Sequence, residues 1–203
     1  MDEKSPSERR HGRTRQAILD AALAIINEKG VDGLSMRTLA EEVDYSPSAL
    51  YNYFDNKEEI VEAIRAEGWA LLDAMDQGPL QENLSPTELL YRGGLAYLKF
   101  AETYPDHYLL MMSPSDNVPG SLDEFMQWPN FKELASSVEA MVASETLKVP
   151  AGYTSLHLTF LIWFVVHGIA MLKLTLMRDC QAEFDEISAQ VMRAAVDVFT
   201  ADE

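Results

Sequence analysis

The sequence contains a single cysteine, Cys180, among its 203 residues. One cysteine excludes an internal disulfide and is typical of a reducing compartment. The first thirty residues lack the apolar stretch of a secretory signal, so we expect a cytoplasmic protein. The four histidines show no metal-ligand spacing with the cysteine, and no nucleophile motif or glycine-rich phosphate loop is present. These absences predict no metal site, no cofactor and no enzymatic activity.

Basic residues are also scarce, because 16 Lys and Arg stand against 33 Asp and Glu and give a formal net charge of -17. Such an acidic chain is not expected to coat nucleic acid in general, and it leaves room only for a local basic face. Residues 1–40 hold seven basic and six acidic residues, so this segment carries +1 and the rest of the chain carries -18. We therefore expect any anionic partner to bind near residues 1–40.

Long apolar runs are nearly absent as well. Only residues 156–177 approach the length that a bilayer span needs, and they include His157, His167 and Lys173. This composition predicts a buried or interface helix and no association with a membrane.

The apolar pattern that is present has a helical period, and no strands are predicted. Residues 1–12 are polar and are expected to form a flexible basic arm. An amphipathic first helix should run from about Arg13 to Lys29 and end at Gly30, which suits a helix C-terminus. The chain is thus expected to begin with an arm and a long helix.

Two short helices follow. Ser35 is a plausible N-cap for the second helix, and Ser46 is one for the third, where Pro47 suits the first helical position. In the third helix Leu50 and Phe54 lie four residues apart and should face inward. Two short helices joined by a tight turn and supported by a longer helix form a helix-turn-helix. The sequence therefore predicts an all-α protein with a three-helix head at 13–60 and a helical bundle at 61–203.

The head resembles the TetR family of transcriptional regulators from about Arg13 to Ile64. The resemblance rests on the strings GLSMRTLAEEV, SPSALYNYF and NKEEI in unbroken order after a basic start. The family usually has glycine in the turn where this chain has Asp44, and aspartate tolerates a left-handed conformation better than most residues. Further on, the string WFVVHGIAML resembles the tryptophan and histidine-glycine pattern of one C-terminal subgroup of the family.

The resemblance implies a surface for double-stranded DNA on the head. It implies that the start of the third helix faces the major groove, that two tyrosines and a lysine contact phosphates, and that an arginine contacts phosphate or base. These residues are Ser46, Pro47, Ser48, Ala49, Tyr51, Tyr53, Lys57 and Arg37. Two other interpretations stay open: Tyr51 and Tyr53 could shield the core of the head, and Lys57 could be a surface partner of a neighbouring carboxylate. Likewise, Arg9, Arg10, Arg13 and Arg15 could contact DNA or form a solvated tail.

The body at 61–203 is expected to bind an effector and to form a homodimer. Residues 156–177 are apolar nearly all round, so this helix must be covered from two directions, and a second copy would supply the second cover. The resemblance implies the same, since TetR-like regulators commonly dimerise through their last two long helices. Candidate pocket residues are Met111, Met112, Trp128, Phe131, Phe160, Trp163, His167 and Met171. Such a methionine and aromatic stripe could equally be plain core, and His167 a satisfied core histidine.

Taken together, these features predict a homodimeric DNA-binding regulator, a repressor that a small hydrophobic effector releases from a palindromic operator. The acidic excess keeps an alternative open, which is a helical ligand-binding or adaptor protein without DNA binding. A helical enzyme would need a catalytic constellation, and the sequence shows none.

Overall fold

The computed structural model describes residues 5–76, 84–113 and 119–199, and its described residues contain helices and no strand. The prediction of an all-α protein is confirmed. The helices are α1 Pro6–Lys29, α2 Met36–Glu42, α3 Pro47–Leu50, α4 Lys57–Asp76, α5 Pro86–Thr103, α6 Pro105–Met111, α7 Leu122–Phe125, α8 Pro129–Ala143, α9 Ser155–Leu174 and α10 Gln181–Asp197.

The chain divides into two compact units. The first contains the described residues up to Leu71 together with Asp106–Met112. The second contains Leu72–Pro105 and the described residues from Ser113 onward. The first unit therefore extends beyond the predicted head at 13–60, because Val61 and Ile64 of α4 and Leu110 of α6 are buried in the same core as α1 to α3.

The start of α1 differs from the prediction. The helix begins at Pro6 rather than near Arg13, because Ser5 and Glu8 form a capping box: the Ser5 hydroxyl accepts from the Glu8 amide at 3.2 Å, and the Glu8 carboxylate accepts from the Ser5 amide at 2.7 Å. Residues 6–12, which the sequence assigns to an arm, are therefore the first turns of α1, and residues 1–4 lie outside the described part of the chain. At its other end α1 stops at Lys29, and Gly30 has φ 73, as the sequence predicts.

The helix-turn-helix follows the predicted caps. The Ser35 hydroxyl accepts from the Thr38 amide at the start of α2, and the Ser46 hydroxyl accepts from the Ala49 amide at 3.3 Å at the start of α3. Between these helices Asp44 has φ 58, which is the left-handed conformation expected for the turn. The regular part of α3 is only four residues long. Its position must therefore come from packing rather than from helix propensity.

That packing comes from the two side chains predicted to face inward. Leu50 is 0% exposed and Phe54 is 1% exposed, and both lie in one apolar cluster with residues of α1, α2 and α4. The most deeply buried members of this cluster from those three helices are Ile18, Ala22, Leu39, Ala40, Ile60 and Ile64.

A buried arginine attaches α6 to α4 within the first unit. The Arg65 guanidinium donates from Nε to the Leu110 carbonyl at 3.2 Å and from Nη1 to a Glu62 carboxylate oxygen at 2.7 Å. Gly68 of α4 lies so close to the Met111 sulfur that a Cβ at this position would collide with it. The short helix α6 is thus held in place by the hydrogen bonds of the Arg65 guanidinium. The close approach of Met111 to α4, which Gly68 permits, also holds it.

The second unit is built on α5, α8, α9 and α10, and a buried lysine joins three of them. The Lys173 ammonium of α9 contacts the carboxylates of Glu102 in α5 and Asp185 in α10. Burial lowers the pKa of Lys173, but the hydrogen bonds and charges of Asp185 and Glu102 outweigh it and raise the pKa above its usual value. The lysine is therefore charged at neutral pH, and the stability that its raised pKa contributes is lost as the pH rises through that pKa.

The apolar helix α9 spans residues close to the predicted 156–177. By length and composition alone it could cross a membrane, and it is the one such helix in the described ranges. Its apolar side chains are only partly covered by the unit itself, since Leu161 and Phe164 of α9 are exposed, as are Ile187 and Val191 of α10. These four side chains are called the α9/α10 apolar face below.

If burial of Phe54 positions α3, replacing it should destabilise the protein far more than replacing its exposed neighbour. We expect Phe54→Ala to lower the free energy of unfolding by about 3–5 kcal/mol, because it leaves a cavity in the core. Tyr51 is 55% exposed, so Tyr51→Ala should cost within about 0.5 kcal/mol, as surface changes usually do. Urea denaturation followed by far-UV circular dichroism measures both, and equal losses would contradict this account of α3.

Candidate nucleic-acid interface and ligand site

The start of α3 presents short polar and apolar groups to solvent. Ser46, Pro47 and Ser48 are exposed and Ala49 is half-buried. The Ser46 hydroxyl caps the helix and also lies 3.0 Å from the Ser48 hydroxyl, which holds both at the same end of the helix. Hydroxyls can donate to or accept from base edges, and the methyl and ring carbons of Ala49 and Pro47 can contact a thymine methyl group.

The two tyrosines after α3 have different surroundings. Tyr51 is exposed, whereas Tyr53 is half-buried against the core of the first unit. The Tyr53 ring stacks on the imidazole of His11, with ring centroids 4.6 Å apart and an interplanar angle of 24°. Tyr53 therefore shields the core, as the alternative interpretation allowed, and Tyr51 does not. Sequence reasoning missed His11, because its contact depends on the helical extension of α1.

Lys57 begins α4 at a capped helix start. The Asn56 side chain accepts from the Glu59 amide at 2.8 Å, and the Glu59 carboxylate accepts from the Asp55 amide at 2.6 Å. In the described residues no carboxylate lies within ion-pair distance of Lys57, and the residue one turn along α4 is Val61. Lys57 is thus a cation at the positive end of a helix dipole, so an anion bound at this helix start would be close to the lysine as well.

Arg37 has a partner within its own helix. Its guanidinium Nε lies 3.1 Å from a Glu41 carboxylate oxygen, and both side chains are exposed. Exposed pairs of this kind contribute little to stability, about 0.3–0.5 kcal/mol. Arg37 can consequently exchange Glu41 for a phosphate at small cost.

The helical start of α1 places two arginines beside the turn between α2 and α3. Arg10 and Arg13 line an open groove of about 230 Å³ together with Thr14, Ala17, Ile18, Val43 and Tyr45. Arg15, on the same helix, lies over the Phe54 ring with its guanidinium carbon 4.7 Å from the ring centroid. Arg10, Arg13 and Arg15 therefore lie on a helix, where the sequence alone left a tail as one interpretation. Tyr45 was not predicted as part of this surface.

The second unit contains a cluster of aromatic rings in which the structure brings together most of the predicted pocket residues. The ring centroids of Phe131 and Phe160 are 4.7 Å apart, and Phe125 lies within 6.0 Å of both. Trp128 and Trp163 join through Phe125 at 5.3 and 5.2 Å. Phe125 is not among the predicted pocket residues, because α7 is a single turn inside a segment whose sequence indicates a loop.

His167 adds a polar group at one side of this cluster. Its ring stacks on Trp163 with centroids 5.1 Å apart, and its Nδ1 lies 3.3 Å from the Tyr97 hydroxyl. Burial lowers the pKa of His167, so the imidazole is neutral at pH 7 and can exchange hydrogen bonds with a neutral ligand. Met171 lies one turn further along α9 and is half-buried. Tyr97 is 70 residues away in sequence, and no local pattern points to it.

The remaining two predicted pocket residues belong to the first unit. Met111 is 5% exposed, and its sulfur lies against Gly68. Met112 follows it in the same unit and is half-buried. Within residues 5–76, 84–113 and 119–199, no three His, Cys, Asp or Glu side chains are grouped closely enough to hold a metal ion.

Two family profiles match the chain. The profile described as bacterial regulatory proteins, tetR family, matches residues 18–64, and the profile described as tetracyclin repressor-like, C-terminal domain, matches residues 90–199. The first match covers the helix-turn-helix and the beginning of α4. The second match alone covers more than half of the chain and includes the aromatic cluster.

Individual relatives are similar in sequence to part of the chain. The nicotine-responsive transcriptional repressor HdnoR of Paenarthrobacter nicotinovorans is 42% identical over 53 residues, which are 26% of this chain and 27% of that protein. The chain spans about a quarter of the length of the first curated relatives it matches.

Two solved structures have a fold similar to that of this chain. A bacterial regulatory protein in the tetR family from Rhodococcus RHA1 has a TM-score of 0.71 at 17% identity, covering 93% of this chain and 98% of that one. A single-substitution variant of TetR from Acinetobacter baumannii AYE, in complex with minocycline, has a TM-score of 0.56 at 19% identity, covering 90% and 94%. With both profiles matching in order along one helical chain, this protein belongs to the TetR family of transcriptional regulators.

Proposed function

We propose that this protein is a homodimeric, DNA-binding transcriptional repressor, which acts in the cytoplasm and leaves its operator when a small hydrophobic effector binds. The observation that carries the proposal is the geometry of α3. Leu50 at the end of α3 and Phe54, four residues further along the chain, are fully buried, while Ser46, Pro47 and Ser48 at the start of α3 are exposed. A helix held in this way can enter a major groove with its N-terminal residues on base edges.

The residues around α3 supply contacts for phosphates. Tyr51 offers an exposed hydroxyl, and Tyr53 offers one from a ring fixed by His11. Lys57 offers a cation, and Arg37 offers a second at the start of α2. Phosphate contacts set register and affinity, whereas contacts of Ser46, Pro47, Ser48 and Ala49 with base edges would carry sequence information.

The effector site that we propose is the aromatic cluster of the second unit. Trp128, Phe131, Phe160, Trp163 and Phe125 would supply apolar surface, and the neutral His167 with Tyr97 would supply a polar anchor. Pockets for small ligands commonly combine an apolar lining with a few polar groups. One structural neighbour was crystallised in complex with minocycline.

A dimer is required to read a palindrome, and the α9/α10 apolar face is the surface that we propose for it. Phe164 is 58% exposed, Ile187 is 56% exposed and Val191 is 44% exposed. Exposed apolar side chains on two adjoining helices are stabilised when a second copy removes them from water, at about 25 cal/mol per Å² of apolar surface.

The operator provides the first test. Selection from a random DNA library with the full chain should enrich an inverted repeat whose half-sites lie about one helical turn, or a multiple, apart. The reason is that two protomers related by a two-fold axis present two copies of α3. Enrichment of a single unsymmetric site would contradict the dimeric mechanism, and absence of any sequence-specific enrichment at low salt would favour a ligand-binding or adaptor protein without DNA binding.

The phosphate contacts provide the second test. Lys57→Ala should weaken binding to specific and unrelated DNA alike and should reduce the slope of log K against log salt by about 1 for each lysine–phosphate contact in the complex. Tyr51→Phe should weaken binding by about 0.5–1.5 kcal/mol for each hydrogen bond that it removes, with little change of slope. Gel shifts at several salt concentrations measure both.

Lys132→Ala is the matched control for Lys57→Ala, since it removes one exposed positive charge from α8 in the second unit. It should leave affinity and slope unchanged. If Lys57→Ala behaves like this control, Lys57 does not contact phosphate.

The dimer provides the third test. Ile187→Glu should convert the dimer into a monomer, because it would bury a carboxylate in an apolar interface. Leu122→Glu is a suitable control, because Leu122 is 57% exposed and lies in α7, outside the α9/α10 apolar face. Sedimentation velocity measures the mass of each variant. A dimer that persists in Ile187→Glu and dissociates in Leu122→Glu would place the interface elsewhere.

A further inference from the structure

The groove between α1 and the turn before α3 has no role in the function proposed so far. Four of its residues lie on one stripe of α1, at the spacing i, i+3, i+4 and i+7 that brings side chains onto one helix face. They are Arg10, Arg13, Thr14 and Ala17. The opposite side is formed by Val43 and Tyr45, which flank the left-handed residue Asp44.

The two arginines of this groove have no carboxylate partner among the described residues. Several arginines elsewhere in the described ranges have a carboxylate within ion-pair distance, among them Arg37, Arg65, Arg92 and Arg193. Neither Arg10 nor Arg13 has one there, although the chain holds 33 acidic residues. Two guanidinium groups at i and i+3 that face one groove without a carboxylate attract an external anion.

The positions of both arginines depend on the early start of α1 at Pro6. The capping box of Ser5 and Glu8 and the stacking of His11 on Tyr53 keep residues 6–12 helical and attached to the first unit. Because the helix is already formed, Arg10 and Arg13 do not have to be ordered when the anion binds, which lowers the entropic cost of binding.

We propose that this groove binds one phosphate of the DNA backbone, with Arg10 and Arg13 as the charged contacts and the Tyr45 phenol as a further hydrogen-bond donor. The assignment rests on the proposed DNA-binding function and extends its surface from α3 to α1. Tyr45 directly precedes Ser46, so the groove adjoins the start of α3. The apolar floor of Ala17, Ile18 and Val43 suits the deoxyribose next to that phosphate.

The test compares the double variant Arg10→Gln, Arg13→Gln with the wild type on the selected operator. Glutamine keeps a good helix former at both positions. Because the double variant removes one phosphate contact from each protomer, the slope of log K against log salt should fall by about 1 for each protomer bound. A neutral methylphosphonate, placed at each backbone position in turn, should identify one position per half-site that weakens the wild type and leaves the double variant unaffected.

The control is Lys29→Gln, Lys132→Gln, which removes the same total charge from the far end of α1 and from α8. It should keep the wild-type slope. A double groove variant with the wild-type slope on an operator that the wild type binds would overturn the groove assignment and leave the proposed function intact. A wild type that binds no operator would overturn both.

Inorganic phosphate distinguishes a site for DNA from a site for a free anion. Titration of the DNA-free wild type with inorganic phosphate at constant ionic strength, followed by calorimetry, should show no saturable binding, because one open groove with two arginines gives a single phosphate ion few contacts. Saturable binding that is absent from the double variant would assign the groove to a free anion and overturn the assignment to DNA.

Discussion

The burial of Leu50 and Phe54 is the interaction on which the candidate DNA surface depends. A helix of four residues has no stability of its own, since the cost of fixing its first turn exceeds what its few hydrogen bonds return. Leu50 of α3 and Phe54, which follows the helix, lie in one cluster with Ile18, Leu39 and Ile60, so the core of the first unit sets the position of α3. The serines at the start of α3 are then exposed, and the cap formed by Ser46 is an additional polar contact.

Two helices of the first unit adjoin the second unit along the chain. Helix α4 is continuous from Lys57 to Asp76, so it runs through the boundary at Leu71 and enters the second unit. Helix α6 belongs to the first unit although residues of the second unit flank it in the chain, and Arg65 binds its carbonyl at Leu110. An effector can shift DNA affinity only if it binds one arrangement of these elements more tightly than another.

Local patterns predicted the helix ends and the inward face of α3. The caps formed by Ser35, Ser46 and Gly30 join atoms that are at most four residues apart, and Leu50 and Phe54 are separated by one helical turn. These features can therefore be predicted from the local sequence alone. The early start of α1 was missed, because its first turns are polar and no apolar stripe reveals them. A capping box at Ser5 was nonetheless readable from its serine and the glutamate three residues later.

Contacts between distant segments could not be predicted in this way. The stacking of His11 on Tyr53, the hydrogen bond of Tyr97 with His167 and the contacts of Lys173 with Glu102 and Asp185 join residues that only the tertiary fold brings together. Composition identified Trp163 and His167 as candidates for a ligand site. It could not identify Tyr97, since a tyrosine on a helix of mixed polarity carries no local signal.

The most direct test of the central claim is to ask where α3 lies when DNA is bound. A photo-crosslinking amino acid in place of Ser48, activated on the operator complex, should attach to a base at the same position in each half-site. The same amino acid in place of Lys29, at the far end of α1, should give little crosslinking. Attachment to bases at symmetric positions from Ser48 alone is the result that this account predicts, and equal or absent crosslinking from the two positions would contradict it.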